Sequence, residues 1–343
     1  MQRIQTDAAI LFKMVYEGMR RAEYPVEEIL MRAGVALNRV DDKARTPNHM
    51  QVAFWKAAES VTGDPDLGLH LAEHMPLYRG QVVEYLFLSS ATFGAGLKRA
   101  LAYQRLVSDV LDASVRIVDD QVCLSNTTNF YKDTLSLRHF TECFTLSMLR
   151  FFRFVTDGQF NFKRIDFAFT HGASAAEYER VFGCPVHLGQ AESRVYFDLK
   201  IMDQPLWQSE PELLRLHEQL ALEKLQELAR SDLVADVRRA IGETLESGEV
   251  SLETIAERLN ISARRLRTQL SEADTSFQHV LSDYRARLAK RLLSKTTESV
   301  ERIVYLTGFS EPSTFYRAFR RWTDDTPVEY RKRKQAAAEI INS

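Results

Sequence analysis

Two stretches toward the C-terminal end of the sequence are written to one plan, and this repetition constrains the fold more than any other feature. SLETIAERLNISARRLRTQL runs from Ser251 to Leu270, and SVERIVYLTGFSEPSTFYRAF runs from Ser299 to Phe319. Each opens on a serine able to cap a helix. Ser251 precedes Leu252, Ile255, Ala256 and Leu259, and Ser299 precedes Val300, Ile303, Val304 and Leu306, in both cases with helical spacing. A residue that tolerates the left-handed backbone comes next, Asn260 in one stretch and Gly308 in the other. A second helix then starts behind Ser262, with Leu266 and Leu270 inward. Its counterpart starts behind Ser310, with Pro312 in its first turn, Phe315 and Phe319 inward and Phe309 folding in from the turn. The pattern is helix, tight turn, helix, twice over. Arg264, Arg265, Arg267 and Thr268 point outward from the first of these second helices, and Ser313, Tyr316, Arg317 and Arg320 from the other.

Between the motifs, FQHVLSDYRARLAKRLL carries Phe277, Val280, Leu281, Tyr284, Leu288 and Leu292 on a single helical stripe. A helix of about 16 residues spans roughly 24 Å. With the width of the motifs added, it would set the two outward-facing helices about one DNA turn, roughly 34 Å, apart. Charge agrees with an anionic partner for this part of the chain. The net charge is −2 overall, but Met1 to Arg230 holds 26 basic against 30 acidic residues, whereas Arg258 to Lys334 holds 17 against 9.

Ser251 to Arg331 resembles the DNA-binding domain of the AraC/XylS family of bacterial transcription regulators, through IAERLNIS, RRL, GFSEPSTFYRAFRRW and TPVEYR. Upstream, TGDPDLGLHLAEH, FLSSATFGAGLKRALAYQRLVSD and YERVFGCPVHLG resemble the arabinose-binding-like effector or dimerisation domain of one branch of that family. The resemblance implies sequence-specific binding of double-stranded promoter DNA by two helix-turn-helix motifs in successive major grooves. It also implies a homodimer, RNA polymerase as a partner, and no enzymatic activity or cofactor. Carried over by position, Arg264, Arg267, Thr268, Ser313, Tyr316 and Arg317 would read bases, and Arg265 and Arg320 would hold phosphates. Arginine can fork onto guanine O6 and N7, each such pair being worth roughly 1–3 kcal/mol of discrimination. Two positions depart from the family pattern. Val304 stands where a small alanine is usual, and TDDTP, with Asp324 and Asp325, replaces the usual Thr-Gly before Thr-Pro.

The remainder of the chain reads as an α+β domain. DAAILFKMVYEGMRRA, HMQVAFWKAAESVTG and FGAGLKRALAYQRLVSDVL have helical periods, and Gly63 stops the second. SVRIVDDQVCLSN alternates about a turn at Asp119-Asp120, as a hairpin does; FKRIDFAFTH and SRVYFDLK alternate as strands, and LRHFTECFTLSMLRFFRFV reads as a buried helix. Beyond them, Leu214, Ala221, Leu225 and Leu228 approximate a heptad seam. That helix either pairs with a second chain or packs on its own domain. The expected division is an α+β domain over 1–208, a helical linker over 209–232, an all-α domain with two helix-turn-helix motifs over 233–335, and a tail. The N-terminal domain either holds a small-molecule effector in an apolar pocket or serves only dimerisation or partner binding.

HLAEH, His70 to His74, matches the H-x-x-E-H pattern of inverted zinc peptidases, in which two histidines bind zinc beside a general base, here Glu73. No later carboxylate is marked as a third protein ligand, so a zinc hydrolase is the remote alternative and no metal is expected. Cys123, Cys143 and Cys184 are odd in number and far apart, which suits a reducing cytoplasm. Cys184 in FGCPV reads as a small buried hydrophobe. No apolar run approaches the roughly 18 residues of a membrane span, and the N-terminus has no signal-peptide pattern. A cytoplasmic, nucleoid-associated protein is expected.

Overall fold

The computed structural model describes residues 5–36, 45–126, 136–245 and 250–342. The chain divides into two compact units, Met1–Leu225 and Gln226–Ser343. The first contains β1 (Thr6–Asp7), α1 (Ala9–Arg21), α2 (Val26–Ala33), β2 (Thr46–Pro47), α3 (His49–Thr62), α4 (Leu67–His74), α5 (Val82–Leu88) and α6 (Phe93–Ala102). It continues with β3 (Ala113–Val118), β4 (Gln121–Asn126), α7 (Ser136–Val155), β5 (Phe162–Asp166), α8 (Ala175–Phe182), β6 (Val186–His187) and β7 (Ser193–Asp198). α9 (Pro211–Thr244) begins in this unit and ends in the second.

A five-stranded sheet of order β3-β4-β7-β5-β6 forms one layer. Its pairs are antiparallel except β5 with β6. The predicted hairpin is β3–β4, turned at Asp119, whose φ of 56° is the left-handed conformation aspartate tolerates. β4 buries Val122, Cys123 and Leu124, whereas Ile117 at the far end of β3 is exposed. Alternation in the sequence thus marked the strand but not the limit of its cover. α7 supplies the other half of the core: Cys143, Leu146, Leu149 and Phe152 are buried on it, and Phe152 packs edge-on against Phe93 and Phe160 and tilted against Phe87. α4 lies tightly on α7. A Cβ at Gly68 would meet the His139 backbone at 2.5 Å, so only glycine permits this approach, and the Gly68 amide donates to His139 Nδ1 at 3.2 Å.

Three predicted segments differ in detail. The helix expected from Phe93 to Leu111 ends at Ala102, and a 3-10 turn over Gln104–Leu106 follows. The Gln104 side chain takes over strand-type pairing there, accepting from the Ala113 amide at 2.7 Å. α9 runs unbroken to Thr244, past the end expected at 232, because its sequence has no glycine or proline between Glu212 and Ile241. The proposed heptad seam turns inward at its start. Ala221 is fully buried against Val82, Val83 and Leu86, with Leu214 beside it. His217 stacks on Tyr85 and meets Ser89 Oγ at 2.9 Å, and Arg99 pairs with Glu218 at 2.7 Å. The leucines left outside are Leu213, Leu216, Leu220 and Leu222.

The second unit continues with α10 (Leu252–Arg258), α11 (Ala263–Glu272), α12 (Phe277–Lys295), α13 (Val300–Leu306), α14 (Pro312–Thr323) and α15 (Pro327–Asn342). It has two cores rather than one. Val237, Ile241, Ile255, Leu266, Leu270 and Val280 gather in the first, and Ala289, Leu293, Ile303, Val304, Phe315 and Phe319 in the second. α12 serves both. Its N-terminal half buries Phe277, Val280 and Leu281, and its C-terminal half buries Ala289 and Leu293. The single stripe read from the sequence is therefore two faces, with Tyr284, Leu288 and Leu292 half-buried at their edges.

Candidate nucleic-acid interface

In the first motif Ser251 Oγ accepts from the Thr254 amide at 3.1 Å, which starts α10. Asn260, at φ 60°, turns the chain, and the Ile261 amide closes back on Ala256 O at 3.0 Å. Ser262 Oγ then accepts from the Arg265 amide at 3.2 Å and starts α11. Leu266 and Leu270 are buried and fix the rotation of α11, so that Arg264, Arg265, Arg267 and Thr268 all stand exposed. Thr268 Oγ1 donates to Arg264 O at 3.1 Å. That leaves the hydroxyl oxygen able to accept.

The second motif follows the same construction with different parts. Ser299 Oγ accepts from the Arg302 amide at 3.1 Å. Gly308, at φ 71°, makes the turn, and the Phe309 amide closes on Val304 O at 3.1 Å. Val304, the larger residue at this crossing, is accommodated with only 4% of its surface exposed. Ser310 is not the cap: Glu311 occupies that position without a side-chain bond, and Pro312 takes the first helical position, where a missing N–H costs nothing. Phe315 and Phe319 are fully buried, Phe309 packs edge-on against Phe315 at 5.5 Å, and Ser313, Tyr316, Arg317 and Arg320 face outward.

Two contacts missed in the sequence lock α14 to α12, and a third residue of α12 holds the turn that precedes α14. Trp322 Nε1 donates to Ser282 Oγ at 3.0 Å, and Lys290 Nζ donates to Trp322 O at 3.3 Å. Arg285 lies over the Phe309 ring at 4.6 Å and donates to Gly308 O at 2.8 Å, which pins the turn itself. Desolvation lowers the pKa of this guanidinium, but it stays charged. Arg321, also exposed and next to Arg320, is a further cation on this helix that the carried-over pattern omitted.

Ion pairing is uneven among the arginines of this unit. Arg238, Arg258, Arg287 and Arg333 are ion-paired with Asp283, Glu243, Asp283 and Asp325. Arg264, Arg265, Arg267, Arg317 and Arg320 form no ion pair among the described residues, and neither do Arg285, Arg291, Arg302, Arg321 and Arg331. The two aspartates that replace the usual Thr-Gly are absorbed locally. Asp324, at φ 61°, closes α14 in the left-handed conformation, and Asp325 is held by Arg333. Thr326 and Glu329 then form a reciprocal cap for α15, with Thr326 N to Glu329 Oε2 at 2.9 Å and Glu329 N to Thr326 Oγ1 at 3.3 Å. These bonds hold the Glu329 carboxyl below its ordinary pKa.

The zinc-peptidase pattern is differently employed. His70 lies between Asp64 (Nδ1 to Oδ2, 2.7 Å) and Glu177 (Nε2 to Oε1, 3.4 Å), and Arg180 clamps Glu73 at 3.0 and 2.8 Å. His74 is exposed. Glu73, pulled below its ordinary pKa chiefly by its bond to Arg180, is a salt-bridged surface group. No described helix is long and apolar enough to cross a membrane.

Comparison with known proteins agrees with this geometry. Residues 24–206 match the family profile described as the arabinose-binding domain of AraC transcription regulator, N-terminal, and residues 255–333 match a helix-turn-helix domain profile. The ornithine utilization regulator of Pseudomonas aeruginosa is 28% identical over 278 residues, covering 80% of this chain and 81% of that protein. The HTH-type transcriptional regulator VirS of Mycobacterium tuberculosis is 25% identical over 286 residues, covering 82% of each. The crystal structure of the transcriptional regulator CdpR from Pseudomonas aeruginosa aligns with 90% of this chain and 96% of that one, at a TM-score of 0.45 and 21% identity. With more than half of its length matched by the first profile and the C-terminal motifs by the second, the chain belongs to the AraC family: it is a transcription regulator with a helix-turn-helix DNA-binding domain, not an enzyme.

Proposed function

We propose that the protein binds promoter DNA as a homodimer, laying α11 and α14 of each chain into successive major grooves, and changes transcription when its N-terminal unit takes up a small molecule. The observation that carries this reading is the pair of helix-turn-helix motifs whose second helices expose arginines without acidic partners on one face, above buried apolar residues. In α12, 19 residues give a strut of about 28 Å. It keeps the two readers on one rigid support. Phosphate contacts by Arg265 and Arg320 supply affinity, and Arg264, Arg267, Thr268, Ser313, Tyr316 and Arg317 supply sequence choice. RNA polymerase is the partner through which occupancy is read out at the nucleoid. For self-association, Leu213, Leu216 and Leu220 supply the surface, an exposed stripe at i, i+3, i+7 on α9.

An N-terminal unit that serves only dimerisation is the competing reading. An apolar cavity of about 240 Å³ within that unit favours effector control. The test of the DNA reading is competition binding with cognate and scrambled duplexes. Arg267→Ala should weaken cognate binding by about 1–3 kcal/mol and scrambled binding little. Arg265→Ala should weaken both alike and reduce the salt slope by about one. Equal losses on both duplexes for Arg267→Ala would refute the base-reading role.

A further inference from the structure

The cavity in the N-terminal unit says what kind of molecule it can hold. Its wall is built from α1, α3, α5, α6, α7 and the faces of β4 and β7, with Met14, Trp55, Phe87, Phe144, Met148 and Phe152 prominent. On the scale of the roughly 150 Å³ engineered apolar cavity that takes benzene, 240 Å³ corresponds to about ten heavy atoms. The polar groups on the wall are largely committed to the protein. Gln104 binds both backbone groups of Ala113 (2.7 and 3.4 Å), Ser125 Oγ meets Ser114 Oγ at 3.2 Å, and Thr145 Oγ1 donates to Thr141 O at 2.7 Å. Two charged residues touch the cavity, and both are ion-paired, although Glu84 Oε1 and Arg194 Nε are buried without a hydrogen bond. Glu84 pairs with Arg79 at 2.5 Å and accepts from backbone amides at the start of α5, and Arg194 pairs with Glu192 at 3.2 Å. Burial holds Cys143 as a neutral thiol, and it donates to Met75 Sδ at 3.0 Å. Ser147 on α7 is the neutral group left over. Its hydroxyl is buried and has no hydrogen-bond partner among the described residues.

From this we infer that the effector is a neutral, hydrocarbon-rich molecule of about ten heavy atoms whose single polar end bonds to Ser147, and neither a sugar nor an organic ion. The inference rests on the effector reading of this unit. A pentose would bring several hydroxyls to a largely apolar wall whose one buried neutral group without a partner is Ser147, and each hydroxyl left unpaired weakens binding about tenfold or more. A carboxylate would meet no unpaired cation among the described wall residues. Although the profile matching residues 24–206 is described as arabinose-binding, the lining of this chain's cavity does not suit that ligand.

The test uses the full chain with 1-decanol, decanoate, L-arabinose and naphthalene, read by calorimetric titration and thermal melting, and repeats DNA binding with and without 1-decanol. Expected are saturable binding of 1-decanol and naphthalene with a rise in Tm, decanoate at least tenfold weaker, and no response to arabinose. Ser147→Ala should weaken 1-decanol about two- to tenfold and leave naphthalene unchanged. Ala100→Phe, which fills the cavity from α6, should abolish both. Decanoate or arabinose binding as tightly as 1-decanol would overturn the ligand class while leaving effector control intact. Binding of 1-decanol without any change in DNA affinity would instead sink effector control and leave the ligand class standing. No binding of 1-decanol or naphthalene would overturn the inference itself.

Discussion

Because the DNA-binding unit has two cores joined by one helix, a core deletion in one should loosen one half of the unit and spare the other. Phe319→Ala makes that measurable. The ring is fully buried, with centroids 5.7 Å from Phe315, 6.3 Å from Trp322 and 5.4 Å from Tyr330. Truncating a buried phenylalanine costs about 3–5 kcal/mol. The core that loses it is small: Ala289, Leu293, Ile303, Val304 and Phe315 are the other buried members. Since 1.4 kcal/mol is a factor of ten, the open population of the α13–α15 half should rise by about two to three and a half powers of ten. Native-state hydrogen exchange reads this directly. Amides of α13 and α14 should lose protection by that factor, while those of α10 and α11, anchored by Ile255, Leu266 and Leu270, keep theirs. The DNA footprint should shrink to the part covered by α11. Equal loss of protection in α10–α11 would show a single cooperative core and refute the reasoning, as would unchanged exchange in α14.

Gly308→Ala should destabilise the second motif by about 1–3 kcal/mol in a urea titration of the full chain, because φ is 71° and the new Cβ would lie 2.9 Å from Leu245 Cδ1. Asn260→Gly, at the equivalent turn, should cost almost nothing. Leu216→Glu with Leu220→Glu should convert dimer to monomer in sedimentation while leaving Tm of the N-terminal unit within a few degrees, since both side chains are exposed. The last prediction concerns pH. Burial pushes the pKa of His139 below the ordinary histidine value of 6.5, and its Nδ1 accepts from Gly68 N, so the folded unit holds it neutral. The unfolded chain therefore takes up the proton first. Stability from this group is fully present above about pH 6.5 and is lost as pH falls below it toward the folded value. His70 works the other way: Asp64 raises its pKa, so its contribution is present below about 6.5 and fades as pH rises. Thermal melts of wild type and His139→Gln between pH 7.5 and 5.5 isolate the His139 part, and parallel curves would refute it.

Local chemistry makes the DNA-binding half legible in the sequence. Ser251, Ser262 and Ser299 each cap the helix they precede, Asn260 and Gly308 each take the left-handed turn, and the buried Leu266, Leu270, Phe315 and Phe319 leave the arginines outside. Those outcomes depend on neighbours within four residues, and a linear sequence holds all of them. Ser310 failed as a cap because proline two positions on shifts the helix start, a competition between two local signals. What the sequence withheld depends on distant partners. Arg285 looks like any surface arginine until Gly308 O and Phe309, more than twenty residues away, come to rest against it. Leu214 and Ala221 fit a heptad as well as any seam, yet α5 covers them because the tertiary fold brings Val82, Val83 and Leu86 to that side. The cavity is the extreme case. Its wall draws on residues from Leu11 to Val195, and a space between side chains has no pattern of its own in the chain. Periodicity tells which face of an element is buried; packing alone decides against what, and where the packing leaves room.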